Sequence, residues 1–125
     1  MDQNQYMQAA LRTEPEDYEP IIRRAIGTIR LLHAMIGMCT EVGEFADQLK
    51  RHIFYGNPLD PVNLREEIGD QRWYQAIATD ALGGDLESID IVNILKLYRR
   101  FPEKFTEMEA LMRDLDSERK VLEGK

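Results

Sequence analysis

Cysteine is almost absent from this chain, and that shortage excludes a good deal. Cys39 stands alone in 125 residues, so neither an intrachain disulfide nor a cysteine-rich zinc site can form. Set in an apolar stretch, it is expected to be a buried small hydrophobe. Basic charge is short as well: 16 Lys and Arg stand against 23 Asp and Glu, a net charge of −7, with a pI near 4.8. Nucleic-acid and anionic-membrane binders carry a basic footprint, and none is present. A small phosphate ligand remains possible, because a metal can supply the positive charge. Long apolar runs are missing too. The richest, Leu31 to Cys39, is interrupted by His33 and is far too short to span a bilayer. Met1 to Gln8 is polar and lacks the apolar region of a signal peptide. A reducing cytoplasm is the expected compartment. No repeat, no low-complexity tract and no useful run of alternating β-branched residues is found, which leaves strands without a place.

What is present reads as helix. With 43% hydrophobic and 31% charged residues, the chain fits one globular domain over 1–125. The acidic, proline-containing segment Thr13 to Pro20 sets off a short amphipathic piece, so residues 1–20 form an N-terminal extension. A first long helix is expected from Thr28 to Phe54. At about 100° per residue its apolar stripe is Leu31, Met35, Met38, Val42, Phe45, Ala46, Leu49 and Ile53. Tyr55-Gly56-Asn57-Pro58 stops it, and Asp60-Pro61 caps and starts the next, which runs to Leu82 before Gly83-Gly84. Asp85 caps a third helix to Tyr98 or Arg100, and Phe101-Pro102 breaks the chain. Thr106 with Glu109 forms a capping-box pattern for a last helix to Leu122, with Glu109–Arg113 and Asp116–Lys120 as ordinary charge pairs. The predicted architecture is an all-α bundle of four main helices, 28–100 holding the functional helices and 106–122 the C-terminal one. Ile36 and Leu32 lie opposite the Met38/Val42 stripe, a surface that a lone chain would expose. A homo-oligomer is therefore expected, a tetramer ahead of a dimer.

Local counter-charge is the most telling absence. Glu41-Val-Gly-Glu44 and Glu67-Ile-Gly-Asp70 each set two carboxylates one helical turn apart, and no Lys or Arg lies three or four residues from any of them. Antiparallel packing about the short Gly56–Asp60 turn could bring all four together. Such a cluster cannot ionise fully without a cation, because mutual repulsion raises its pKa values. Mg²⁺ or Mn²⁺ is the indicated partner, with water and substrate phosphate completing the shell. The competing reading is a solvated face, since Arg30, His33, Glu41, Glu44, Gln48 and Arg51 share one polar stripe. Gly43 and Gly69 each cost about 1 kcal/mol against Ala inside a helix, which implies close approach of another backbone.

Asn93, Lys96 and Arg100 fall on one face of the third helix, where they can bind phosphate or simply favour the helix's negative end. His33 lies two turns before Glu41 and Tyr74 one turn after Asp70, both placed to meet a base or sugar. Trp73 points the other way and is expected in the core. Phe54 and Tyr55, near the turn, either lid a pocket or pack beneath it.

Leu32-His33-Ala34, Glu41-Val-Gly-Glu44, Lys50 to Gly56, Glu66-Glu67-Ile-Gly-Asp70 and Asn93 to Pro102 together resemble the MazG-like nucleotide pyrophosphohydrolases, all-α NTP pyrophosphatases, and above all their short phage-type members. The resemblance covers Ile29 to Phe105. It implies that Glu41, Glu44, Glu67 and Asp70 are Mg²⁺ ligands, that Lys96 and Arg100 contact nucleotide phosphates beside Asn93, and that Tyr74 and His33 face the nucleotide. It also implies dimers or tetramers, with the bundle completed between subunits. The expected activity is Mg²⁺-dependent cleavage of a (d)NTP to (d)NMP and pyrophosphate, with Glu41, in preference to Glu44, orienting or deprotonating the water. A guanosine alarmone is an alternative substrate. A ferritin-like di-iron oxidase would need Glu-x-x-His pairs that the chain lacks. A non-catalytic helical interaction module would leave the unpaired carboxylates unexplained.

Overall fold

The computed structural model describes residues 1–124, and all regular structure among them is helical. Seven helices follow in order: α1 (Gln3–Leu11), α2 (Glu19–Gly27), α3 (Ile29–Tyr55), α4 (Pro61–Ala81), α5 (Leu86–Arg100), α6 (Glu107–Leu111) and α7 (Leu115–Leu122). The long helices begin and end where local chemistry requires. Gly56 takes a left-handed φ of 73°, and Asn57 N–H returns to the Arg51 carbonyl at 3.2 Å, a Schellman-type close. Asp60 then accepts from the backbone N–H of Val62 and Asn63 at 3.0 and 3.2 Å, with Pro61 opening α4. Gly83 is also left-handed, and Asp85 accepts from Ser88 N–H at 2.8 Å to start α5.

Besides α1, which is the short amphipathic N-terminal piece, six helices among the described residues stand where four main ones were expected, for two local reasons. Pro20 sits in the first turn of α2, where proline's missing N–H costs nothing, so the segment read as a spacer already begins a helix. The expected C-terminal helix is broken at Met112 to Asp114. Thr106 caps only α6, accepting Glu109 N–H at 3.2 Å, and Asp114 caps α7, accepting Ser117 N–H at 3.0 Å. Arg113 turns to Glu118 at 2.9 Å rather than to Glu109. Neither Glu109–Arg113 nor Asp116–Lys120 forms among the described residues.

The α3–α4 hairpin is the principal packed unit; α5 packs on α7 and α2 touches α3. The seam of the hairpin is not the expected stripe. Ala34 and Gly37 are the buried residues of α3, which rotates the packed face by roughly 90° towards the acidic side. Met35, Val42 and Ile53 consequently face outward. Gly37 is the close-approach glycine, because a Cβ there would collide with the Tyr74 ring. Gly43 and Gly69 instead meet open space; Gly43, nine residues from Ala34, lies about 180° around the helix from the seam. Cys39 is exposed, not buried. Phe54 and Tyr55 are likewise exposed, with the Lys50 ammonium 5.9 Å from the Tyr55 ring. No single helix is long and apolar enough to cross a membrane; α2 and α3 would qualify together, but a 79° bend divides them.

Candidate metal centre

The seam that buries Ala34 carries Glu41 two turns further along α3, and the facing side of α4 presents Glu67 and Asp70 one turn apart. One carboxylate oxygen from each of these three residues lies within 4.8 Å of the others. Glu67 is only 4% exposed, while Glu41 and Asp70 are half-buried. Among the described residues none of the three makes an ion pair, although Asp47 nearby has both Lys50 and Arg51. Burial pushes the Glu41 carboxyl above its ordinary value, and the Glu44 charge, a hydrogen bond with Glu67 and the Asp70 charge push it the same way. The Thr40 hydroxyl, 3.4 Å from Glu41 Oε1, opposes the rise.

Glu44 does not join the cluster. Three residues beyond Glu41, it is rotated by about 60° off the seam and stands exposed beside Gln48. It acts on the site through its charge alone.

Asn63 was not singled out as a site residue by the sequence, yet it reaches the centre. Its Nδ2 donates to Glu67 Oε1 at 2.9 Å and lies 3.4 Å from Glu66 Oε2. Its Oδ1 is buried without a partner. The spacing Asn63–Glu67, one turn of helix, was the available signal. An all-carboxylate donor set with one buried member suits a hard divalent cation and has nothing to offer a thiophilic one.

His33 and Tyr74 do come together, ring edge to ring face, with centroids 5.7 Å apart at 83°. Trp73 is the correction here: it is 58% exposed and stacks on Tyr74 at 4.8 Å instead of entering a core. Trp73 lies about 100° around α4 from Tyr74, so with the Tyr74 ring set against Gly37 the indole is directed away from the seam.

Lys96 of α5 is half-buried, and Arg100 is engaged elsewhere. Arg100 Nε donates to Glu118 Oε1 at 2.8 Å and its terminal nitrogen to Oε2, while Arg113 adds a third donor at 2.9 Å. Glu118 is 5% exposed, and the two guanidinium groups, Arg100 first, hold its carboxyl down to about 2. Asn93 borders a separate depression shared with Met38 and Thr79. None of Asn93, Lys96 and Arg100 is among the groups acting on Glu41. Comparison of the chain with protein-family models, curated proteins and solved structures gives no match in any of the three.

Proposed function

We propose that this protein is a Mg²⁺-dependent nucleoside triphosphate pyrophosphohydrolase that converts a (d)NTP to the (d)NMP and pyrophosphate. One observation carries the reading: Glu41, Glu67 and Asp70 converge from two helices without a cationic side chain to neutralise them. The resemblance of the motifs supplies the reaction class. Mg²⁺, or Mn²⁺ in its place, would be held by these oxygens, offset phosphate charge and lower the pKa of a water. Glu41 would orient or deprotonate the water that attacks the α-phosphorus. The bond from that phosphorus to the bridging oxygen breaks, and pyrophosphate leaves with the electron pair. Glu44 adds negative charge from the rim. Lys96 and Arg100 would meet the departing phosphates, for which Arg100 must exchange Glu118 for phosphate. The exposed His33 and Trp73 rings, on either side of the half-buried Tyr74, offer a base a stacking edge.

The same reading includes a homo-oligomer, a tetramer ahead of a dimer, working in a reducing cytoplasm. The chain exposes 10453 Å², against about 6,900 Å² for a compact monomer of its mass. That excess, roughly 3,500 Å², is several times the ~800 Å² that a standard interface takes from each partner. More than one contact surface per subunit would absorb it. The outward apolar residues also favour a second reading, a non-catalytic helical interaction module.

Incubation with a panel of dNTPs and NTPs and Mg²⁺ tests both. Pyrophosphate and monophosphate should appear together, with label from ¹⁸O-water in the monophosphate. Orthophosphate and diphosphate as main products would overturn the mechanism, and no turnover of any nucleotide would leave the interaction module.

A further inference from the structure

We propose that Asn63 is a positioning residue of the carboxylate centre, fixing the Glu67 carboxylate that meets Glu41 and Asp70. The inference rests on the cation-binding reading above and adds to it a residue outside the carboxylate motif. Three observations converge on the same side chain. Its backbone N–H is tied to the Asp60 side chain at 3.2 Å, so the cap that starts α4 also fixes where the amide begins. Its Nδ2 donates at 2.9 Å to Oε1 of a carboxylate that is 4% exposed, and that carboxylate's other neighbours are acidic. Its Oδ1 is buried with no partner.

These facts leave the amide one sensible orientation. Turned over, Oδ1 would face the Glu67 carboxylate, oxygen against oxygen, and the buried Oε1 would lose its donor. The orientation that serves Glu67 is therefore the one that strands Oδ1. Leucine of similar size would leave Glu67 without its donor, and aspartate would add a further charge to a site already short of cations. Asparagine supplies a donor without charge. An ordinary helix-surface Asn–Glu pair would expose both groups to water; here Glu67 is buried and Asn63 half-buried.

The test uses the full chain and Mn²⁺ as probe, in the absence of nucleotide. Wild type, Asn63→Ala and Asn63→Leu are compared by calorimetric and paramagnetic-resonance titration, alongside melting curves in EDTA. Outer partners of metal ligands typically contribute about 10–100-fold to affinity. Both variants should therefore bind Mn²⁺ at least about tenfold more weakly, while melting in EDTA close to wild type. A merely structural Asn63 would give the opposite pattern, lower melting and unchanged affinity, and would overturn the proposal while leaving the cation site intact. Wild type that binds no Mn²⁺ at millimolar concentration removes both. A measurement on the unmodified protein guards against variants that fail to fold. The Asn63 side-chain amide resonances should shift on addition of diamagnetic Mg²⁺, and amides that do not move refute the role.

Discussion

At the scale of single residues, the carboxylate centre is a conflict held in place by packing. Glu41 has a folded pKa above its ordinary 4.5, with burial the leading cause. An acid whose pKa is raised by folding weakens the fold at pH above that folded value, and the penalty disappears as pH falls through it towards 4.5. Glu41→Gln should therefore raise the melting temperature in EDTA at neutral pH, and the gain should close as the buffer approaches pH 4.5. Asp70→Asn should blunt the response to cation instead. Mg²⁺ raises melting only in proportion to native-state binding, so the millimolar Mg²⁺ shift of wild type should shrink or vanish in the variant, and most activity with it. A wild type whose melting ignores Mg²⁺ would mean a solvated acidic face. Which carboxylates meet was only partly legible in the sequence. The unpaired motifs named all four, but helical angle alone decides that Glu44 turns away, and that angle depends on where the seam falls. Asn63 was visible only as a neighbour of Glu67, since nothing in a sequence says that its oxygen will be buried.

At the scale of elements, boundaries set by local chemistry were legible and those set by tertiary contacts were not. Gly56, Asp60-Pro61, Gly83-Gly84 and Asp85 act within a few residues, and each helix end they mark lies where the sequence puts it. The break at Met112 to Asp114 depends on Arg113 reaching Glu118 beside Arg100, a partnership that closes only after α5 and α7 have met. The direction of the seam depends on a small residue, Gly37, admitting the Tyr74 ring, which outweighs the larger apolar side chains beside it. Gly37→Ala should force the two helices apart or displace the ring. Overpacking of this kind costs about 1–3 kcal/mol, and denaturant melts would read the loss directly. Glu118 gives α7 its attachment. Eight residues make a marginal helix alone, so Glu118→Gln should deprotect the α7 amides to hydrogen exchange while α3 and α4 keep theirs. The pH window is the reverse of Glu41's. Glu118 is depressed from 4.5 to about 2, so its contribution is complete above 4.5 and is lost as pH falls towards 2. Acid should release α7 in wild type over that range and change little in the variant.

At the scale of the molecule, Ala34 is the one fully sheltered apolar residue among those described, and Glu67, Thr79 and Glu118 are the others most deeply enclosed besides Gly37. Large apolar side chains such as Ile36, Ile53, Phe54 and Trp73 face outward. Light scattering at micromolar concentration should report a tetramer or dimer, and a monomer would refute the assembly proposed above. Association would also make melting depend on protein concentration, with dilute samples unfolding at lower temperature. Dilution would then act on this chain as a denaturant does on others. In a cell, the amount of protein would enter its own survival: at low copy number most chains would stand as open hairpins available to proteases, and past a threshold each new chain would protect its neighbours. Activity should accordingly rise faster than in proportion to expression.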